Sequence, residues 1–369
     1  VFPNLIGQKG VKDGLTKAIT TNQLAPAMLF YGPSYSGKLT AALELARTLS
    51  CSQKAAWQCD CRNCAAARKL LSPYTVMLGS RYFKPEIQRT GETFLANQSP
   101  IGLILYQRTV RKLLRRFDSF LWEDDDSRFK KAKPLILPLA EQLDSLDLTN
   151  TTNLANEIEA INAKAFELAG ILDNYAVNIG QIRRLSSWAR SNAQNNKIVI
   201  IEEADKIGVA AGNALLKILE EPSEKLYFIL IAKERQSLME TIVSRVRPYH
   251  FTERSAADEA EALSRIFKTT GSSLQQFFVA LPNLNELAAS FYNGYKTKQN
   301  LYSLYPKELD DYFAAFLSEI VKLIQDDLLC GRLSIYEAEE FNAKLNRAKQ
   351  QYTVYRQSPQ SLAEWLFYS

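Results

Sequence analysis

The chain has a single histidine, His250, which excludes a catalytic histidine dyad and any multi-histidine metal site within one chain. No apolar run approaches the ~18 residues that a membrane-spanning helix requires. Val1-Phe2-Pro3-Asn4 is not a basic segment leading into an apolar run, so no secretory signal is expected. Charge of one sign does not dominate: 45 Lys and Arg against 40 Asp and Glu leave +5, compatible with nucleic-acid contact but not diagnostic of it. There are no repeats and no low-complexity linker. With 46% hydrophobic and 23% charged residues, the chain can bury a real core. At roughly 100–200 residues per domain, 369 residues correspond to two or three domains.

Cysteine is scarce but concentrated. Of five, Cys51, Cys59, Cys61 and Cys64 lie close together, while Cys330 stands alone and reads as a small buried apolar residue. Without a secretory signal, four clustered thiols point to a metal site rather than a disulfide framework. Tetrahedral zinc needs four such ligands at about 2.3 Å, and four protein ligands close the shell, so the role is structural.

Ala27–Tyr31 is a short apolar run suited to a buried parallel strand. Gly32-Pro33-Ser34-Tyr35-Ser36-Gly37-Lys38 follows, then a helical pattern over 39–49. Strand, glycine loop, lysine and helix form the setting of a phosphate-binding loop, where backbone N–H groups and the helix N-terminus surround the phosphates. Gly32, Gly37 and Lys38 are its candidate binding residues. The pattern calls for Ser or Thr after the lysine to hold Mg²⁺, and this chain has Leu39. Thr40 carries a hydroxyl but lies ~100° further round the helix. Lys197–Ile201 reads as a second buried strand, and Glu202-Glu203-Ala204-Asp205 places carboxylates at its C-terminal end, where α/β folds bind ligands. Glu202 stands where a Walker B aspartate would hold Mg²⁺, and Glu203 where a glutamate would orient water. Residues 213–222 form a helix stopped by Pro222, and 226–231 a further strand.

Together these segments resemble the bacterial clamp-loader family of AAA+ proteins, on the delta-prime side of it. The resemblance rests on Leu5-Ile6-Gly7-Gln8, Leu29-Phe30-Tyr31-Gly32-Pro33, Gly37-Lys38, the cysteine cluster and Ile179-Gly180-Gln181-Ile182-Arg183. It continues through Ile200-Ile201-Glu202-Glu203-Ala204-Asp205, Asn213-Ala214-Leu215-Leu216-Lys217-Ile218-Leu219-Glu220-Glu221-Pro222 and Ser244-Arg245. It implies an α/β fold: an AAA+ P-loop NTPase-like domain over 1–251, with a parallel sheet, flanking helices, the cysteine module 51–64 and a helical insertion over about 83–173. A helical lid over 252–294 and a C-terminal helical collar over 295–369 follow, with the joint at the Asn293-Gly294 turn signal.

The resemblance also implies a role in DNA replication. Several related subunits form a hetero-oligomeric ring that loads the sliding clamp onto primer-template DNA for DNA polymerase III. Partners would be gamma/tau-type ATPases, the delta subunit, and the clamp indirectly, in the bacterial cytoplasm at the nucleoid. Arg245 aligns with an arginine finger that a delta-prime subunit presents to its neighbour's ATP. Four departures argue against ATP hydrolysis by this chain: Leu39, Glu202, Ala232-Lys233 in place of a polar sensor, and Ser272-Ser273-Leu274-Gln275 without a second-sensor arginine. The expected cofactor is structural zinc, with Mg–ATP doubtful in the chain's own site. The family's cysteine spacing has two residues between the middle pair; here only Asp60 separates Cys59 from Cys61.

The insertion reads as a helical hairpin extending from the domain. Ile104–Leu121 alternates apolar and basic residues, including Arg108, Arg111, Lys112, Arg115 and Arg116; Glu123–Asp126 and Arg128, Lys130, Lys131 and Lys133 follow, and Pro134 and Pro138 are expected to break the helix. Three readings compete: a non-catalytic ring subunit, a gamma/tau-type ATPase using Thr40 and Glu202, and an accessory protein binding DNA through the basic insertion. A polymerase active site is not visible. Beyond 252 the pattern is helical, with Tyr312, Phe313, Phe316, Ile320 and Ile324 on one apolar stripe.

Overall fold

The structure, a computed structural model, describes residues 2–53, 55–148, 153–172, 175–191, 195–270, 273–278, 284–297, 313–353 and 359–368. The chain divides between Gln275 and Gln276 into two compact units. The first contains, in order, α1 (Lys9–Thr20), β1 (Ala27–Tyr31), α2 (Lys38–Ser50), α3 (Arg62–Arg68), β2 (Thr75–Leu78), α4 (Phe83–Asn97), α5 (Pro100–Leu114), α6 (Ser127–Ser145), α7 (Leu154–Gly170), α8 (Ile179–Arg190) and β3 (Lys197–Ile201). It continues with α9 (Val209–Glu220), β4 (Leu226–Ala232), α10 (Glu240–Val243), β5 (Arg247–His250) and α11 (Ala256–Arg265).

The five strands form one parallel sheet in the order β2-β3-β4-β1-β5. Side chains alternate across it with a period of two. Met28, Phe30, Met77, Ile198 and Ile200 face a core shared with α1 and α2, which supply Val11, Leu15, Ala42 and Leu45. Leu29, Val76, Leu78, Val199 and Ile201 face a larger core that the insertion completes with Tyr106, Val110, Leu113, Phe117 and Trp122. Both faces are covered, as an all-parallel sheet requires.

The insertion differs from the expected hairpin. Its four helices α4–α7 pack against the sheet and one another, because the spacing of Tyr106, Val110, Leu113 and Phe117 gives α5 and its continuation a stripe too apolar to leave in water. Tyr106 Oη donates to Asn162 Oδ1 at 2.7 Å, which ties α5 to α7. Pro134 and Pro138 do not break α6, which runs through both. Each lacks an N–H for the carbonyl four residues earlier, but both prolines are exposed, so water can satisfy Lys130 O and Pro134 O.

The second unit begins within α12 (Leu274–Phe278) and contains α13 (Leu284–Thr297), α14 (Phe313–Leu329), α15 (Ile335–Thr353) and α16 (Pro359–Tyr368). Phe313, Phe316, Ile320 and Ile324 are buried on one side of α14, as the stripe predicts. Tyr312, Gly271 and Ser272 lie outside the described residues. Asn293-Gly294 is not a turn but part of α13, where Gly294 is buried and the helix continues to Thr297. Cys330 is exposed rather than buried, because α14 ends just before it.

Candidate functional site: a phosphate loop and a cysteine cluster at the two ends of one helix

Helix α2 joins the two candidate sites. Gly37 caps its N-terminus with φ 96°, and Cys51 caps its C-terminus. Between β1 and α2 the chain forms the loop expected of a phosphate binder. Gly32 has φ 140°, and a Cβ there would lie 2.0 Å from Phe251 O, so only glycine fits.

The loop's lysine is turned inward. Lys38 is 8% exposed, and its Nζ donates to Gly32 O at 2.6 Å, to Pro33 O, and to Ser36 Oγ at 3.4 Å. Burial, reinforced by the nearby Lys233 charge, lowers its pKa to about 8. Arg254 braces the loop, donating to Ile6 O at 3.1 Å and to Tyr35 O. Thr40, two residues on, faces away from the loop and lines a small cavity beside the cysteine module.

At the end of β3, Glu202 is 6% exposed and held by two arginines, one just before the insertion and one within it. Arg81 donates to Oε1 at 2.7 Å, and Arg116, 2% exposed, donates to Oε2. Arg116 also donates to Gly79 O at 2.9 Å and lies over the Phe83 ring at 5.6 Å. Gly79 has φ 90°, and any Cβ there would strike Glu202 O at 2.0 Å, so the β2 end packs directly on the Glu202 backbone. A second carboxylate, Glu86, receives Arg81 at 2.8 Å and Lys112. Burial alone would raise the Glu86 pKa, but Arg81 and Lys112 outweigh it and hold it at about 2. Burial lowers the pKa of Arg116 and of Lys112. Glu203, in the left-handed region at φ 49°, accepts from Ser80 and pairs with Lys206 at 2.9 Å. Both carboxylates of the expected Mg²⁺ site are therefore already bonded to protein donors.

Sequence reasoning missed this network. Its signal was a charged residue at an apolar stripe: Arg116 adjoins the buried Phe117, and a buried charge requires a partner. Arg111 and Lys112 of α5, with Arg115 and Arg116 just after it, are internal ties rather than a free face. Arg111 bonds Lys69 O at 3.2 Å and Asp144, and Arg115 bonds Ser72 O at 3.1 Å and Asp118 at 3.2 Å. On α6, by contrast, Lys130, Lys131 and Lys133 are exposed.

Arg245 lies apart from this network, just after α10. It is exposed, pairs with Glu220 at 2.6 Å and donates to Thr241 O at 2.9 Å. That short tether holds the guanidinium at the surface beside the C-terminus of α9.

At the other end of α2 the four Sγ atoms of Cys51, Cys59, Cys61 and Cys64 lie within 4.8 Å of one another. Cys51 Sγ is 3.6 Å from Cys59 Sγ and 3.9 Å from Cys61 Sγ. Zinc–sulfur bonds of about 2.3 Å in a tetrahedron give sulfur–sulfur edges of roughly 3.8 Å. The four thiols thus fit one zinc ion, and the short Cys59–Cys61 spacing does not prevent convergence. Arg47 of α2 supports the cluster, donating to Cys64 Sγ at 3.2 Å, to Ala55 O and Ala56 O at 3.1 Å each, and to Glu44 at 2.7 Å. A cation against a thiolate offsets the negative charge of a four-cysteine zinc site.

A five-stranded parallel sheet with a glycine loop at the end of its β1 strand defines a P-loop-type α/β domain, and the strand order and flanking helices are consistent with the AAA+ clamp-loader fold. The sequence model of the family described as "DNA polymerase III, delta subunit" matches residues 7–79 and 137–255, just over half of the chain, so the chain belongs to that family. Residues 80–136, which supply Arg81, Glu86, Lys112 and Arg116, fall outside the match.

Among curated proteins, DNA polymerase III subunit delta' of Haemophilus influenzae is 29% identical over 174 residues, 40% of this chain and 52% of that protein. Subunit delta' of Pseudomonas aeruginosa is 32% identical over 120 residues, 32% of this chain and 37% of that protein. Subunit tau of Bacillus subtilis is 38% identical over 85 residues, 23% of this chain and 15% of that protein. The chain spans about half the length of the first relative and less of the others. The expected resemblance to the delta-prime side of the clamp-loader family is borne out.

Proposed function

We propose that this chain is a delta-prime-like subunit of a clamp loader: a ring subunit that does not hydrolyse ATP and that supplies Arg245 to the ATP bound by a neighbouring gamma/tau-type subunit. The reading rests above all on Glu202. Each of its two oxygens accepts from an arginine, Arg81 or Arg116, so a metal at the Walker B position would have to compete with a buried ion-pair network. Lys38 is likewise engaged by its own loop, and Leu39 offers no Mg²⁺ ligand. In a neighbour's site, Arg245 would place a fixed positive charge where negative charge develops on the transferred phosphoryl group.

In this reading the four cysteines hold structural zinc, and the helices after residue 252 serve as a lid and as the collar that holds the ring together. Gamma/tau-type subunits, delta, the sliding clamp and primer-template DNA are the partners, and the compartment is the bacterial cytoplasm. No described helix is long and apolar enough to cross a membrane.

The test is ATP turnover by the chain alone and in a ring reconstituted with gamma/tau-type partners. The expected result is silence alone, with clamp- and DNA-stimulated turnover in the ring that falls about 10³-fold with Arg245→Ala, the scale of an arginine-finger contribution. Turnover by the isolated chain that disappears with Lys38→Ala would overturn the proposal and make the chain an ATPase in its own right.

A further inference from the structure

We propose that this chain binds a phosphate group in a second pocket, outside the nucleotide loop, formed where α2, the cysteine module and α5 meet and anchored by Arg108 and Arg68. The cavity measures about 40 Å³, and Thr40, Glu44, Arg47, Trp57, Arg68 and Arg108 are among its lining residues. A water needs about 10–15 Å³ measured in this way, so the space suits roughly three waters or one small oxyanion.

The lining is unbalanced in charge. Three guanidinium groups face it with one carboxylate, and that carboxylate is spent: Arg47 grips Glu44 through Nε at 3.1 Å to both oxygens and through Nη2 at 2.7 Å. Arg47 has committed its other donors to Ala55 O, Ala56 O and Cys64 Sγ. Arg68 gives one bond to Trp57 O and lies over the Trp57 ring at 5.6 Å. Arg108 donates to no group among the described residues, although it is only partly exposed. Its surroundings disfavour its charge, through burial and through the like charge of Arg68, while Glu44 and Glu86 act in the opposite sense. Arginine does not shed its proton to escape such a site, and an anion in the cavity would compensate the charge more fully than the water and the distant carboxylates that reach it.

The fork of a guanidinium matches two oxygens of a phosphate, and Thr40, also in the lining and with no hydroxyl hydrogen bond among the described residues, can supply a further donor. Free inorganic phosphate and the backbone of single-stranded DNA carry the same group, and the test separates them.

The full chain with its zinc would be titrated with inorganic phosphate at constant ionic strength by calorimetry and ³¹P NMR line width. A labelled single-stranded oligonucleotide would be followed by anisotropy. Arg108→Gln and Arg68→Gln should each weaken phosphate binding about tenfold or more, while Arg108→Lys should retain part of it. Arg235→Gln, at an exposed position with no part in either site, should leave it unchanged. Competition between oligonucleotide and phosphate, lost in Arg108→Gln, assigns the site to backbone phosphate. Phosphate binding lost in that variant with unchanged oligonucleotide affinity assigns it to the free ion. Equal phosphate and oligonucleotide affinities in wild type and Arg108→Gln, with zinc content and melting temperature preserved, would overturn the proposal. So would no measurable binding of either by wild type. If Arg108→Gln melts early or loses zinc, Arg68→Gln and Arg108→Lys decide by the same criteria.

Discussion

The two ends of α2 carry two constellations that read differently in sequence and in space. At the N-terminal end the phosphate loop looks nearly complete in sequence, yet in the fold its charged groups are consumed: Lys38 by loop carbonyls and Glu202 by two arginines. At the C-terminal end the cysteine spacing looks too tight, yet the four sulfurs converge. A motif's spacing therefore says which groups can meet, while their availability depends on what else the fold brings to them.

Purified chain should carry one zinc, and Cys64→Ser should lose it and expose the segment around α3 to protease. Metal-binding free energy in structural zinc sites is on the order of 10 kcal/mol, so this is the largest effect expected. Equal metal content in wild type and variant would show that the sulfurs converge without binding metal.

The consumed site is sharpened by Arg116→Ala. This variant leaves a buried Glu202 with Arg81 alone and should cost about 3–5 kcal/mol in denaturant unfolding. Arg116→Ala combined with Glu202→Gln should recover part of that loss. Strict additivity of the two changes would show that the pair is not coupled.

Glu86 gives a pH signature of the same network. Its pKa is held below the ordinary 4.5 at about 2, so its stabilisation is complete above pH 4.5 and is lost as pH falls through 2. A shift of that size corresponds to about 3 kcal/mol. Glu86→Gln should flatten the decline in stability over that window, and an unchanged acid slope would remove Glu86 from the network.

The smallest effect is expected at Arg245. Its pair with Glu220 is exposed on both sides, and such pairs contribute about 0–1 kcal/mol. Arg245→Ala should leave the unfolding midpoint nearly unchanged even where it suppresses ring turnover. A large loss of stability would point to a structural arginine.

Much of the fold was legible because it rests on local pattern. The strands at Ala27–Tyr31 and Lys197–Ile201 and the α14 stripe follow from runs and periodicities that a parallel sheet and an amphipathic helix impose. The errors arose where tertiary packing overrode a local signal. Asn293-Gly294 carries turn chemistry but continues a helix, Pro134 and Pro138 sit inside α6, and Arg111 and Lys112 of α5 point into the protein as ties. Propensity is a weak prior when burial of an apolar stripe stabilises the alternative.

By itself the sequence determined three of the five sheet strands, the glycine loop, four cysteines able to share a metal, and the family. Only the tertiary structure decided that Glu202 and Glu203 are bonded to protein donors and that Arg108, without a hydrogen-bond partner among the described residues, lines a cavity beside the cysteine module. The reason is physical. A charged side chain's state depends on its solvation and on its nearest opposite charge. For Glu202 those charges come from positions 86 and 121 residues away along the chain, a separation that neither periodicity nor motif spacing encodes.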